Sequence, residues 1–96
     1  MTGDKITKEV DGSKGRYVYR DGDDEAELTI SILSPKLVIA DHTGVPPAFE
    51  GQGIGLKLLE RLIADAKEDG FKIVPLCPFV NAQRRRHPEW ADLFQA

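Results

Sequence analysis

The sequence predicts a single α+β domain in which an antiparallel meander of strands precedes a βαβ crossover with one principal helix. Three features support this prediction: alternating apolar and polar residues early in the chain, a glycine-rich segment in the middle, and helical spacing of apolar residues after it. The 96 residues are 41% hydrophobic and 30% charged, which is typical of one small globular domain. We therefore expect residues 1–96 to share a single core.

Two segments in the first half are predicted to form a β-hairpin. Arg16–Arg20 and Ala26–Leu33 alternate apolar with polar side chains and are rich in β-branched and aromatic residues. The turn between them contains Gly22, which tolerates a positive φ. The short apolar run Lys36–His42 extends the pair to a three-stranded antiparallel meander. A further strand near Ile6–Val10 would add to its edge.

The segment Thr43–Gly55 is rich in proline and glycine, so we expect no regular element there. After it, apolar residues recur at spacings of three and four, which predicts a helix with one face on the sheet. This helix should end at Gly70, and Arg61 and Asp65 should form an i,i+4 pair on its exposed side. The apolar positions are Ile54, Leu58, Leu59, Leu62, Ile63 and Ala66.

A last strand is predicted over Phe71–Phe79, ending near its prolines because proline lacks the N–H that a sheet requires. A strand, a glycine loop, a helix and a strand form a right-handed crossover, so this strand should run parallel to Lys36–His42 and make the sheet mixed. The tail Asn81–Phe94 is expected to form a short helix before Pro88 and a turn after it.

Composition excludes several classes of protein. The net charge of −3 argues against non-specific nucleic-acid binding, which needs excess positive charge. A lone cysteine, Cys77, forms no intramolecular disulfide, and no Cys/His cluster has metal-ligand spacing. The N-terminus has no apolar signal-peptide run, and no stretch is apolar for long enough to span a membrane. We expect a cytoplasmic protein without a metal.

The most informative segment is Glu50–Lys57, EGQGIGLK. Its three glycines alternate with other residues directly before the predicted helix, so backbone N–H groups can point outward together at the positive end of the helix dipole. Such an arrangement binds an anion, usually a phosphate. The spacing fits neither the Walker loop nor the dinucleotide fingerprint. The alternative is that the glycines only make a tight turn.

The stretch from Val45 to Val80 resembles motif A of the GNAT superfamily of N-acetyltransferases, in which Gln/Arg-x-x-Gly-x-Gly/Ala lies between a strand and a helix. Gly53 and Gly55 match its two glycines. The short chain, the lead-in DHTGVPP and the segment PLCPFV followed by HPEW resemble a small single-domain GNAT-like family of about a hundred residues. The similarity covers roughly Arg16 to Leu93.

This resemblance implies a minimal GNAT-like fold without the early helix pair, and an acetyl-CoA-dependent N-acetyltransferase acting on a primary amine. It implies that loop amides hold the pyrophosphate and that the strand end pairs with the pantetheine arm. The chain's only basic run, which follows the last strand, could reach the 3′-phosphate, because an arginine can bind two phosphate oxygens at once. A solvent-exposed helix face is the alternative for that run. The implied cofactor-binding residues are Gly44, Val45, Gly51, Gln52, Gly53, Ile54, Gly55, Leu56, Lys57, Asn81, Arg84 and Arg85.

Two side chains are candidates for catalysis. Cys77, between two prolines at the end of a strand, can protonate the leaving thiolate or accept the acetyl group, although free cysteines are often small core residues. His42 precedes the loop, and imidazole is a common general base, although a surface histidine fits the same position. Where the family carries Arg or Gln this chain has Glu50, and Pro88 stands where many relatives have a tyrosine general acid.

Two other functions are also consistent with these residues. One is a coenzyme A or acyl-CoA binding module with weak catalysis, which Glu50 and the missing tyrosine favour. The other is a scaffold that docks through HPEWADLF around Trp90, Leu93 and Phe94, although these residues also suit a core. The amine acceptor is left undetermined between a small molecule and a protein.

Overall fold

Five strands form one mixed sheet whose spatial order follows the order along the chain, β1-β2-β3-β4-β5. The computed structural model describes residues 6–95. Two 3₁₀ turns, at Pro47–Phe49 and Pro88–Leu93, complete the secondary structure. The strands and helices are β1 (Ile6–Asp11), β2 (Lys14–Asp21), β3 (Asp24–Ser34), β4 (Leu37–Gly44), α1 (Ile54–Asp69), β5 (Lys72–Pro75) and α2 (Pro78–Arg86).

The meander and the crossover predicted from the sequence are both present. Strands β1 to β4 are antiparallel neighbours, and β5 pairs in parallel with β4, so the sheet is mixed as expected. Gly22 lies in the β2–β3 turn with a φ of 63°. The further edge strand predicted near Ile6–Val10 is present as β1, which pairs with β2 over its whole length and makes the meander four-stranded.

Two boundaries differ from the predictions. The strand predicted over Phe71–Phe79 ends at Pro75, and α2 begins at Pro78, because a proline with its fixed φ favours the first turn of a helix. The segment Thr43–Gly55 is not irregular throughout: it contains the end of β4, a 3₁₀ turn and the start of α1. In both places proline and glycine mark a change of element rather than a lack of structure.

Both helices pack on the same face of the sheet. Leu59 and Leu62 of α1, Val80 of α2 and Trp90 of the C-terminal 3₁₀ turn share one core cluster with the sheet. The chain then returns to the edge of β5, where Phe94 bridges Ile73 in parallel. Two successive crossovers in the same direction along the sheet place their helices on the same face when both are right-handed.

Helix α1 ends as predicted and is tied to the sheet by a polar contact. Gly70 has a φ of 78° and its N–H donates to the carbonyl of Ala66 at 2.9 Å. Asp65 lies 3.7 Å from Arg61, the expected i,i+4 pair, and accepts a 2.6 Å hydrogen bond from the hydroxyl of buried Tyr17. Burial and the neighbouring carboxylate raise the pKa of Tyr17, which keeps the hydroxyl protonated as a donor.

The other face of the sheet has no helix on it within residues 6–95, and we call it the open face. It carries mainly charged and hydroxyl side chains. In the same part of the chain, no helix is long and apolar enough to cross a membrane.

Candidate functional site

Strands β4 and β5 part at the end of the sheet that faces the glycine loop. Their last paired residues are Ala40 and Pro75, and the N–H of Cys77 then donates to the carbonyl of Ala40 at 2.8 Å. Pairing between β3 and β4 shifts register here, so that Asp41 is an extra residue of β4. A bulge bends its strand, and β4 therefore runs on to Gly44 without a β5 partner.

The glycine loop leaves a row of backbone N–H groups without an acceptor. Within the described chain, five N–H groups between Glu50 and Lys57 have no protein partner: Gly51, Gly53, Ile54, Gly55 and Leu56. A helix start leaves its first amides free in any case, and the turn before it adds further ones. The amides lie at the positive end of the α1 dipole, where an anion is stabilised.

One amide that was expected to join this row, that of Gln52, is used inside the protein. The N–H of Gln52 donates to the carbonyl of Phe49 at 3.1 Å, and its side-chain amide donates to Ala48. The N–H of Lys57 makes the first helical hydrogen bond, to Gly53 at 3.1 Å. Only the side chain of Lys57 is left for a ligand.

At each of the three loop glycines, a side chain would be strained or crowded. Gly51 and Gly53 have φ values of 79° and 70°, which residues with a Cβ adopt at a cost of about 1–2 kcal/mol. A Cβ on Gly55 would lie 3.2 Å from Cζ of Phe79, so this glycine lets α2 approach the start of α1. The glycines thus allow the backbone turn that leaves the amides unpaired, and they allow α2 to pack beside it.

A cleft of about 440 Å³ lies beside this loop. Thr43 and Val45 line it from the end of β4, and Phe79 and Gln83 line it from α2. Sequence reasoning missed Thr43, Phe79 and Gln83. The four-residue spacing of the last two was the available signal, but the helix was predicted to begin after Phe79.

Glu50 also lines the cleft and is exposed to solvent. It follows the 3₁₀ turn, and its backbone N–H donates to Pro47 at 3.0 Å. A carboxylate beside free amides competes with a bound anion unless it faces water, so this residue bears directly on affinity.

The two candidate catalytic side chains lie on opposite sides of β4. Cys77 is buried, and its Sγ lies 3.3 Å from Oγ1 of Thr43. Thr43 pairs with Leu28, whose side chain is in the core, whereas His42 pairs with Thr29 on the open face. The His42 side chain is exposed, and Cys77 does not line the cleft. Thr43, which lines the cleft and contacts the thiol, connects the two.

Two polar side chains of α2, Asn81 and Arg84, interact with each other. The Nε of Arg84 donates to Oδ1 of Asn81 at 2.7 Å, which occupies the amide oxygen and leaves its NH₂ group. Arg85 and Arg86 are exposed. The segment after them is structural: the ring of His87 stacks 4.1 Å from that of buried Trp90.

The suggested docking role of the C-terminal segment does not fit this packing. Trp90 belongs to the core cluster, and Leu93 and Phe94 pack against it, as their alternative assignment to the core predicted. The segment covers the edge of β5 instead of presenting an apolar surface.

Comparisons with known proteins agree with the fold described above. A family model described as GCN5-related N-acetyl-transferase matches residues 16–93. A GCN5-like protein from Staphylococcus aureus, provisionally assigned as an N-acetyltransferase and solved by NMR, is similar with a TM-score of 0.72 and 26% identity over 96% of this chain and 90% of its own. No curated protein matches the chain significantly.

Proposed function

The chain belongs to the GCN5-related N-acetyltransferase family, and from this premise we propose that it transfers an acetyl group from acetyl-CoA to a primary amine. One observation carries the proposal. Five free backbone amides at the start of α1 open into a cleft of about 440 Å³ at the point where β4 and β5 part. An elongated ligand with a diphosphate at one end and amide groups along its arm fits these features.

The pyrophosphate of acetyl-CoA would be held by the N–H groups of Gly51, Gly53, Ile54, Gly55 and Leu56. These donors need no charged side chain, because the helix dipole and the unpaired amides already favour a negative charge. Lys57 adds one cation in the first turn. Arg84 and Arg85, at the end of α2, are proposed to contact the 3′-phosphate, since guanidinium groups bind phosphate oxygens in pairs.

The arm of the ligand would lie along β4 beyond Ala40. The edge of β4 that faces β5 has no strand partner from His42 to Gly44, so its backbone groups can pair with the amides of pantetheine as a strand would. Gly44 and Val45 are the proposed contacts, and the NH₂ group of Asn81 is a third. A backbone N–H near Val45 would stabilise the oxyanion that develops on the attacked carbonyl.

Acetyl-CoA, when bound, supplies an acetyl group activated as a thioester. The protein must still free the lone pair of the amine, which for a lysine-like amine costs about 4–5 kcal/mol at pH 7. His42, exposed on the open face, is the proposed base. Cys77, through the neighbouring Thr43 hydroxyl, is the proposed route by which the departing sulphur gains a proton.

An NMR titration with acetyl-CoA tests the binding site. We expect the largest amide shifts at residues 51 and 53–56, with salt weakening the binding through loss of the arginine contacts. Gly12 and Gly22 are matched controls, because they have similar positive φ values in distant turns and should not shift. Shifts centred anywhere else would remove the basis of the proposal.

An assay of thiol release with acetyl-CoA and a panel of amines tests the catalysis. His42→Gln and Thr43→Val should each slow transfer without weakening acetyl-CoA binding. Cys77→Ala retaining full activity would end the role of the thiol. Tight binding with no transfer to any amine would support the binding module instead.

A further inference from the structure

A second concave surface lies on the open face, away from the cleft. It is a groove of about 450 Å³ that crosses strands β1 to β4. Its floor runs along Gly15 and Ile30, which pair with each other between β2 and β3. Both residues direct their side-chain positions to the helix-covered side, since a Cβ on Gly15 would lie 3.2 Å from the core side chain of Ile30, and they therefore line the groove through their backbone. No helix of residues 6–95 covers it.

The two cations that line the groove are already engaged. Arg16 is ion-paired with Glu9 at 2.9 Å, Glu25 at 2.9 Å and Glu27 at 2.8 Å. Lys14 donates to the hydroxyl of Ser31 at 2.7 Å. These partners hold both side chains against the walls of the groove.

Two carboxylates in the groove have no ion pair among the described residues. Asp41 accepts one hydrogen bond, from the hydroxyl of Ser31 at 2.7 Å, and Asp11 has no such partner. They lie at opposite ends, Asp11 on β1 and Asp41 on β4. Three strand spacings separate them, roughly 14 Å. The Ser31 hydroxyl bridges the Lys14 ammonium to Asp41, and the two carboxylates at the ends of the groove are complementary to an extended ligand with a positive charge at each end.

One end of the groove lies beside the proposed reaction centre. Asp41 is the bulge residue at which β4 leaves β5, and His42 follows it on the same face. Thr29 lines the groove and donates its hydroxyl to the carbonyl of His42 at 3.4 Å. A ligand that ends at Asp41 therefore places its terminal group next to the gap between the strands.

We propose that this groove is the acceptor site, and that the acceptor is a linear amine with at least two positive charges. The inference rests on the proposed acetyltransferase function. The terminal amine lies at Asp41 and His42, while a distal ammonium binds Asp11. His42 takes the proton of the reacting amine, the new C–N bond replaces the C–S bond, and the released sulphur gains a proton.

An NMR titration with spermidine tests the site without relying on activity. We expect amide shifts at Gly15, Thr29 and Asp41, and about a fivefold weaker binding in Asp11→Asn, as for an exposed ion pair. Asp41→Asn should have a similar effect while keeping an oxygen for Ser31. Glu68→Gln, an exposed carboxylate of α1, is the matched control and should bind spermidine normally.

A second experiment compares spermidine with butylamine, which carries a single positive charge. The ratio of kcat/KM for spermidine to that for butylamine should fall about fivefold in Asp11→Asn and stay constant in Glu68→Gln. An unchanged ratio in Asp11→Asn, or spermidine shifts outside the groove, would overturn the proposal even if transfer occurs. Shifts in the groove without transfer to any amine would instead overturn the proposed function and leave the binding site standing.

Discussion

The helix-covered face and the open face of the sheet bury their side chains by different means. On the covered face, Leu62 of α1 is fully buried among apolar neighbours from the sheet and both helices. On the open face, Val18 is also fully buried but lies outside that cluster. It sits between Arg16 and Arg20 along β2 and opposite Glu27, so ion-paired side chains shield it.

The ion-paired shield covers only part of the open face. Arg16 and Arg20 join the carboxylates of Glu9, Glu25 and Glu27 over one part of the sheet, and the groove lies beside them. A second layer of helices would bury more apolar area but would close the groove. The apolar packing is thus concentrated on one face of the sheet, and the other face is accessible to the ligand proposed above.

The sharpest test of this contrast is Leu62→Ala on the covered face. Removing a fully buried leucine should lower the free energy of unfolding by about 2–5 kcal/mol, since the cavity adds to the lost burial. Urea unfolding measures the change. Glu60→Ala, on the exposed side of the same helix, should change it by less than about 0.5 kcal/mol. Equal effects would mean that α1 does not close the core.

Val18→Ala tests whether the ion-paired side chains keep Val18 away from water. Loss of two methyl groups should cost about 1.5 kcal/mol, because their burial is complete even though their cover is polar. Val10, which is 52% exposed, provides the control, and Val10→Ala should have almost no effect. If both substitutions proved equally mild, the shield would be open to water in solution.

The smallest effect should come from titrating the shield itself. Hydrogen bonds from Arg20 and Arg16 hold the pKa of Glu9 below its ordinary value of 4.5, and those from Arg16 and Arg20 do the same for the pKa of Glu25. A lowered folded-state pKa stabilises the protein above pH 4.5, and this stabilisation is lost as the pH falls below it. Melting temperatures between pH 6 and pH 3 should therefore fall less in Arg16→Gln than in the parent chain. An equal fall in both would contradict the network, and Arg85→Gln, outside it, serves as the control.

Much of the fold could be predicted because its signals are local. Alternation identified β2 and β3, helical spacing identified α1, and the run of glycines identified the loop with unpaired amides. The end of β5 and the start of α2 were predicted less accurately. A proline ends a strand and also starts a helix, and only the packing of Val80 against the core decides which of the two applies at Pro78.

The site was predictable only in part. The amides of Gly51 and Gly53–Leu56 follow from the loop, but Gln52 turned out to donate to Phe49. Cys77 and His42 both lie near the strand end, as expected, yet they face opposite sides of β4. Phe79 and Gln83, which line the cleft, have no chemical signature that would single them out in a sequence.

By itself, the sequence determined which segments become strands and helices and where backbone amides are left unpaired, because periodicity and glycine act within a few residues. Tertiary structure decided that Asp41 bulges out of β4, that Thr43 stands between the cleft and the thiol, and that a groove opens across four strands. Those features depend on the register between strands that are distant in the chain, and a shift of one residue moves every side chain to the other face.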